Sequence, residues 1–245
     1  MTFLKPDSLA LSYSNKLTER IGAEISARGA IPFSRYMQLA LYEPGLGYYA
    51  AGAQKFGVSG DFVTAPEISA LFSRTLAQYY AKHYPGQPIL EFGAGSGIMA
   101  VDILKELKAI NCLPENYFIM EISPELAQRQ QISIQEKIPE FFSRITWLSE
   151  LSLKFSGFVV ANEVLDAMPV EIFKTNKQGL QQGFVEWNDE QIFYLVFRAA
   201  TPELTQAFQA LNVNFPENYC SEINLNMAPW INHFQYFNQR RIIDH

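Results

Sequence analysis

Ile89-Leu90-Glu91-Phe92-Gly93-Ala94-Gly95-Ser96-Gly97 sets the architecture of this chain. The first four residues are too few for a helix and read as a buried strand. Glycines follow at alternate positions, and a helical pattern, Ile98, Val101, Leu104 and Leu107, starts at once. A strand, a glycine turn and a helix in this order let a nucleotide-like ligand lie against bare backbone at a helix N-terminus. A dinucleotide fingerprint would put its third glycine at position 98, where this chain has Ile98, and would not ask for an acid two residues before the first glycine. Both departures favour S-adenosylmethionine as the cofactor, bound by Glu91, Gly93, Ala94, Gly95, Ser96 and Gly97, with Glu91 helping to hold its ammonium group directly or through water. An NAD-linked oxidoreductase is the rival reading. It is disfavoured by Ile98 and by the isolation of His83, His233 and His245.

Three more short apolar runs lie downstream: Tyr117-Phe118-Ile119-Met120, Ile145-Thr146-Trp147-Leu148 and Phe158-Val159-Val160-Ala161. None alternates strictly, as expected of strands buried on both faces of a parallel sheet. Ser123-Pro124-Glu125 starts a helix, with Ser as cap and Pro at the first position. The order β-α-β-α-β-β predicts an α/β fold with a doubly wound, Rossmann-like sheet. Glu121 ends the second strand and should emerge beside the glycine loop, where its carboxylate can accept both ribose hydroxyls. Ile122 next to it is counted with the cofactor contacts. After the fourth run, Asn162-Glu163-Val164-Leu165-Asp166 brings polar groups to the same edge. Asn162 could position the transfer zone, and Glu163 or Asp166 could bind a cationic acceptor. The alternative is that Asn162 caps a helix and Glu163 is its first-turn acid.

Upstream, residues 12–42 read as helices interrupted at Gly29-Ala30-Ile31-Pro32, the second capped by Ser34. Tyr42–Tyr49 and Gly52–Asp61 read as a loop, with Tyr48, Tyr49 and Phe62 lining a pocket or packing a lid. Thr64-Ala65-Pro66-Glu67 has capping-box form, and its helix should run to about Lys82. Beyond the sheet, Gly183–Trp187 and Ile192–Phe197 predict an antiparallel hairpin, followed by a helix from Thr201 to Leu211. The expected division is a helical and lid region at 1–84 and a cofactor domain at 85–245, with the hairpin inserted at about 175–220.

With 245 residues, 48% of them hydrophobic, the chain can bury a substantial core. A formal charge of -6 argues against nucleic acid as a partner and suits a cationic substrate. Cys112 and Cys220 have neither CxxC spacing nor a histidine cluster nearby, so they read as core thiols, and no metal site is indicated. With no signal-like N-terminus and no long apolar run, the expectation is a cytoplasmic protein without membrane insertion.

Three segments together, Gly60–Ser69, Glu91–Gly97 and Ala161–Val170, resemble the MidA family, and Ile31–Met37 and Tyr42–Tyr49 are similar to its N-terminal pattern. The resemblance implies a class I S-adenosylmethionine methyltransferase fold. It also implies that Thr64 and Pro66, within the first segment, approach the cofactor or acceptor. For the family's mitochondrial member it implies symmetric dimethylation of an arginine in a respiratory complex I subunit, and hence a protein acceptor here. Family chains continue past the equivalent of Arg241–His245, where this sequence stops. The resemblance therefore also implies missing C-terminal strands, an open acceptor side, and a second reading as a truncated, inactive assembly scaffold.

Overall fold

The computed structural model describes residues 8–50, 64–150 and 155–235. In chain order its elements are α1 (Ser8–Arg28), β1 (Ile31–Pro32), α2 (Phe33–Tyr42), α3 (Ala65–Ile68), α4 (Ala70–His83), β2 (Ile89–Phe92), α5 (Ile98–Ala109), β3 (Tyr117–Met120) and α6 (Pro124–Lys137). They continue with β4 (Ile145–Leu148), β5 (Phe158–Ala161), β6 (Glu171–Asn176), β7 (Gly179–Trp187), β8 (Phe193–Ala199), α7 (Pro202–Ala210), β9 (Cys220–Ile223) and α8 (Met227–Gln235). By contacts they form two units, one holding the described residues of 1–51 and 165–232, the other those of 52–164 and 233–245.

The second unit is the α/β body. All four short apolar runs are strands, paired in parallel in the order β4-β3-β2-β5. The central strand β2 is buried at every position, as a strand covered on both faces must be. On α5 the stripe of Val101, Leu104 and Leu107 is wholly buried against this sheet, together with Ile103 and Ala100. The predicted start of α6 is realised: the Ser123 side chain accepts from the Leu126 N–H, and Pro124 occupies the first turn. α4 belongs here too, because Ala77 and Tyr80 are completely buried in the same apolar cluster. The Tyr80 hydroxyl donates to the Gln87 carbonyl at 2.5 Å. The contact boundary therefore does not fall at residue 84.

Gly157 enters β5 so close to the neighbouring chain that a Cβ there would lie 2.2 Å from the Pro88 carbonyl oxygen. That oxygen accepts from the Phe158 N–H at 2.9 Å, so neither backbone can retreat without breaking the first β2–β5 bond. Gly157→Ala is expected to cost about 3 kcal/mol, the upper range for forcing extra volume into a packed site. Urea denaturation measures it.

The first unit holds a second sheet. The predicted hairpin is β7–β8, with Trp187 opposite Phe193 and the Asn188 side chain accepting from the Ile192 N–H at the turn. It is not an insertion into the parallel sheet but the centre of a separate antiparallel one. One edge of β7 pairs with β8, and the other pairs with β6 and then, further along, with β1. This explains why the N-terminal helices go with this unit: Ile31 and Pro32 pair with Val185 and Phe184, while Ile21, Ile25 and Leu39 pack beside Val185. Arg35 on α2 binds the buried Glu24 on α1, and Arg20 on α1 binds Glu24 and also Glu43 just past α2, holding the two helices together. Ser34 does not cap α2, which starts at Phe33 after Pro32; its hydroxyl donates to the buried Glu171 carboxylate instead. Thr201 caps α7 as its sequence predicts, accepting from the Leu204 N–H. Cys220 lies exposed on β9, contrary to the core-thiol expectation, whereas Cys112 is half-buried beside the α/β core. Tyr42, Tyr48 and Tyr49 pack ring against ring; Gly52–Asp61, Phe62 and Arg241–His245 lie outside the described residues. Among the described residues β5 is an edge of the parallel sheet, and no helix is long and apolar enough to cross a membrane.

Candidate functional site

The strand order reverses direction at β2: the chain steps outward through β3 to β4, then returns to place β5 on the other side of β2. In an open parallel sheet the crevice outside the carboxyl ends of such strands is where ligands bind. The glycine loop leaves β2 at this edge, Glu121 leaves β3, and Asn162 leaves β5. One sheet edge thus collects the glycine loop, Glu121 and Ile122 together with Asn162 and Glu163.

Gly93, Gly95 and Gly97 all have positive φ, at 60°, 56° and 80°, a region that side chains enter only at a cost. Gly97 is the cap of α5, and a Cβ there would already press on Ile134 at 3.2 Å. Ala94 is buried and its carbonyl accepts from the Gly97 N–H, closing the turn. Ser96 is engaged rather than free: its hydroxyl donates to the Glu67 carboxylate and accepts weakly from the Ile98 N–H. Glu67 therefore does not complete a capping box with Thr64, whose side chain makes no cap bond. It ties α3 to the glycine loop. Pro66 is buried and Thr64 half-buried on that segment, while Gly60 to Val63 lie outside the described residues. Ser69, not Thr64, caps the long helix α4.

Glu91 is 0% exposed. The Tyr117 hydroxyl donates to its Oε2 at 2.6 Å, and its Oε1 has no hydrogen-bond partner. Burial pushes the carboxyl up to about 7, Tyr117 opposing and the Glu121 charge adding to the shift.

Glu121 is nearly buried as well, and burial raises it. Its Oε1 accepts from the Ser123 N–H and its Oε2 from the Gln130 amide, each at 2.9 Å. The Ile122 N–H also acts on it; a carboxylate has about four acceptor positions, so capacity remains for a ligand hydroxyl. Ile122 beside it is 63% exposed, an apolar surface at the sheet edge.

Gln130 is the residue the sequence reading missed. Wholly buried, it donates to Glu121 and to the Gly95 carbonyl (3.2 Å) and accepts from Trp147 Nε1 on β4 at 3.0 Å. One side chain thereby fixes the glycine loop and the second acid to each other, with both amide protons donated and the amide oxygen accepting. A signal was present: Leu126, Gln130 and Ile134 are spaced by four on α6, so a polar group sits in an apolar stripe.

At the end of β5, Asn162 is half-buried and Glu163 exposed with φ 51°. A left-handed non-glycine residue costs about 1–2 kcal/mol, and such positions concentrate at functional sites. The capping alternative is not realised, since only a single 3-10 turn, Leu165–Ala167, follows. Asp166 is exposed on that turn, within the unit that holds residues 165–232.

A left-handed backbone bare of side chains at three glycines, a sealed carboxyl with an orphaned oxygen two residues before them, and a second carboxylate with spare acceptor capacity fit S-adenosylmethionine. Comparison with known proteins agrees. A family model described as "Putative S-adenosyl-L-methionine-dependent methyltransferase" matches residues 71–242. The chain belongs to this family. Its MidA resemblance and its class I methyltransferase fold stand with that match. A "likely methyl transferase" from Burkholderia thailandensis, bound to S-adenosyl-homocysteine, superposes with a TM-score of 0.85 at 37% identity, covering 94% of this chain and 61% of that one. Among sequence relatives, the mitochondrial protein arginine methyltransferase NDUFAF7 of Mus musculus is 25% identical over 73% of this chain and 48% of its own length. The Drosophila melanogaster homologue is 32% identical over 66% of this chain and 43% of its own. The chain spans about half the length of the curated relatives it matches. The methyltransferase family's cofactor, S-adenosylmethionine, is thus the one the glycine loop predicts.

Proposed function

We propose that this protein transfers the methyl group of S-adenosylmethionine to an arginine side chain of another protein. The observation that carries the reading is the junction of the glycine loop, Glu91 and the Glu121–Gln130 pair at the switch point of a parallel sheet, in a chain of this family. The relatives named protein arginine methyltransferases supply the acceptor class. Within it, the MidA resemblance points to a respiratory-chain subunit.

In this reading the glycine loop receives the amino acid end of the cofactor against backbone, Glu121 accepts from the ribose, and exposed Ile122 covers the base. Thr64 and Pro66, on the segment that Glu67 ties to the loop, flank the same ligand. When bound, the cofactor supplies an electrophilic methyl on a sulfonium. The chain's own task is alignment and exclusion of water, since in-line displacement needs no covalent help. Glu163, exposed at the end of β5, offers a carboxylate to a guanidinium that is always protonated in water. It orients one nitrogen toward the cofactor while the proton that nitrogen gives up passes to solvent. The proposal places the protein in a reducing, cytoplasmic compartment, in keeping with Cys112 and Cys220 both being free.

The test is incubation of the chain with methyl-labelled S-adenosylmethionine and a protein extract, reading label on arginine by mass spectrometry. Transfer to arginine that is lost in Glu163→Gln is the expected result. Label on another residue type overturns the acceptor, and cofactor binding without transfer of label overturns the enzyme reading in favour of a cofactor-binding scaffold.

A further inference from the structure

Glu91 lies in the middle of the parallel sheet, level with Ile119 on β3 and Val160 on β5, both members of the buried apolar cluster that also holds Ile89, Tyr117 and Ala100. A carboxylate sealed in such surroundings needs a cation or a proton. Among the described residues no cation binds it. Its one hydrogen bond is from Tyr117, and Oε1 is orphaned. The titratable groups that act on it are Tyr117, from β3, and Glu121, from the loop after β3. β5 has no titratable residue, and those of α5 (Asp102, Lys105, Glu106 and Lys108) do not shift it. Neither acting group brings positive charge: Tyr117 is itself pushed well above its ordinary range by burial and stays a donor, and Glu121 is a second acid.

The glycine loop begins two residues after Glu91, so the cationic end of a ligand seated there arrives next to this sealed group. We infer that Glu91 exchanges its proton for the cofactor's positive charge, with Tyr117 as the positioning residue that holds one carboxyl oxygen and leaves the other open toward the ligand. The inference rests on the cofactor reading proposed above. Charge balances: one cation enters, one proton leaves the Glu91 carboxyl for solvent, and the buried net charge is unchanged. Contact between ligand and Glu91 is not required, because an opposite charge a few ångströms away in a low-dielectric site favours the ionised form.

The pH dependence has a definite sign. With the ligand-free carboxyl near 7 instead of 4.5, binding below pH 7 must expel a proton, so affinity falls with acidification through that range. Without ligand, the folded chain holds more protons than the unfolded chain between 4.5 and about 7. The stability contributed by Glu91 is therefore full below 4.5 and lost as pH rises through about 7.

Calorimetric titration of the full chain with S-adenosylmethionine at about pH 6 and about pH 8, for wild type, Glu91→Gln and Tyr117→Phe, tests this; two buffers of different ionisation enthalpy count the protons released. Wild type is expected to bind about tenfold more tightly at the higher pH, beyond any change in Glu91→Gln, which carries the ligand's own titration. It should release a proton that Glu91→Gln does not. Tyr117→Phe should move the midpoint of the affinity profile to higher pH, since the lost hydrogen bond favoured the ionised form; a packing role alone would leave the midpoint in place. In ligand-free urea titrations, stability should fall between the two pH values more steeply in wild type than in Glu91→Gln. Equal pH profiles in wild type and Glu91→Gln, or an unmoved midpoint in Tyr117→Phe, overturn the inference while leaving the cofactor reading intact. A folded wild-type chain that binds no S-adenosylmethionine at either pH overturns the cofactor reading, and this inference with it.

Discussion

Gly95→Val is expected to abolish S-adenosylmethionine binding while leaving the chain folded. Gly95 sits at φ 56°, where a β-branched residue is a steric outlier, and its carbonyl is pinned by the Gln130 amide. The backbone therefore has two poor choices. It can keep its path and put two methyl groups where the ligand must approach, or it can swing out of the left-handed region and lose the Gln130 bond. Strain of about 1–2 kcal/mol plus the blocked approach amounts to at least a roughly hundredfold loss of affinity. Gly95→Ala, with a single methyl, should fall between wild type and Val. Calorimetry with S-adenosylmethionine reads the series, and NAD serves as a second ligand that wild type should ignore. Undiminished binding by a folded Gly95→Val chain would remove the glycine loop from the cofactor site.

The α/β body was legible because its signals are local. Four apolar runs too short for helices, Ser123-Pro124 at a helix start, and glycines packed between strand and helix each have one structural meaning. Their order then leaves little choice of sheet. The second sheet was legible only in part. The β7–β8 hairpin announces itself through Asn188-Asp189-Glu190 between two apolar runs, but its pairing with Ile31-Pro32 joins positions more than 150 residues apart. Two residues carry no periodicity. For the same reason composition points to a boundary at residue 84, whereas the long-range pairing ties the N-terminal helices to residues after Leu165.

Polar side chains of the site were harder to read than backbone. The strand positions of Glu91 and Glu121 follow from their runs, but nothing in the sequence says that Tyr117 would bond one of them and Gln130 the other. The residue types of Ser34 and Glu67 suit helix caps, and neither serves as one. In the fold each finds a partner distant in sequence, Glu171 for Ser34 and Ser96 for Glu67. Gln130 alone left a trace, as the polar member of an apolar stripe, and such a position is best explained by a buried network.

That network makes Glu121→Ala the second large effect, and one in which binding and stability can be separated. Glu121 has a spare acceptor position for the ribose, and a charged hydrogen bond of this kind is worth about 1.5–3 kcal/mol, so losing it should weaken S-adenosylmethionine binding roughly tenfold to a hundredfold. The same substitution leaves a Gln130 N–H buried without its partner, which costs the fold about 1–3 kcal/mol. Gln130→Leu alone is the control, because it removes the anchor from the glycine loop and from Trp147 while leaving the Glu121 carboxylate in place. If Glu121 only anchors Gln130, the two single variants should lose affinity alike, and the double variant no more than either. If Glu121 is also a ligand acceptor, Glu121→Ala should lose more affinity than Gln130→Leu, and the double variant more again, while the stabilities stay non-additive because both variants break one network. The second pattern is the expected outcome. Equal affinity losses in the two single variants would reduce Glu121 to a structural partner of α6 and leave the cofactor held by the glycine loop and Glu91 alone.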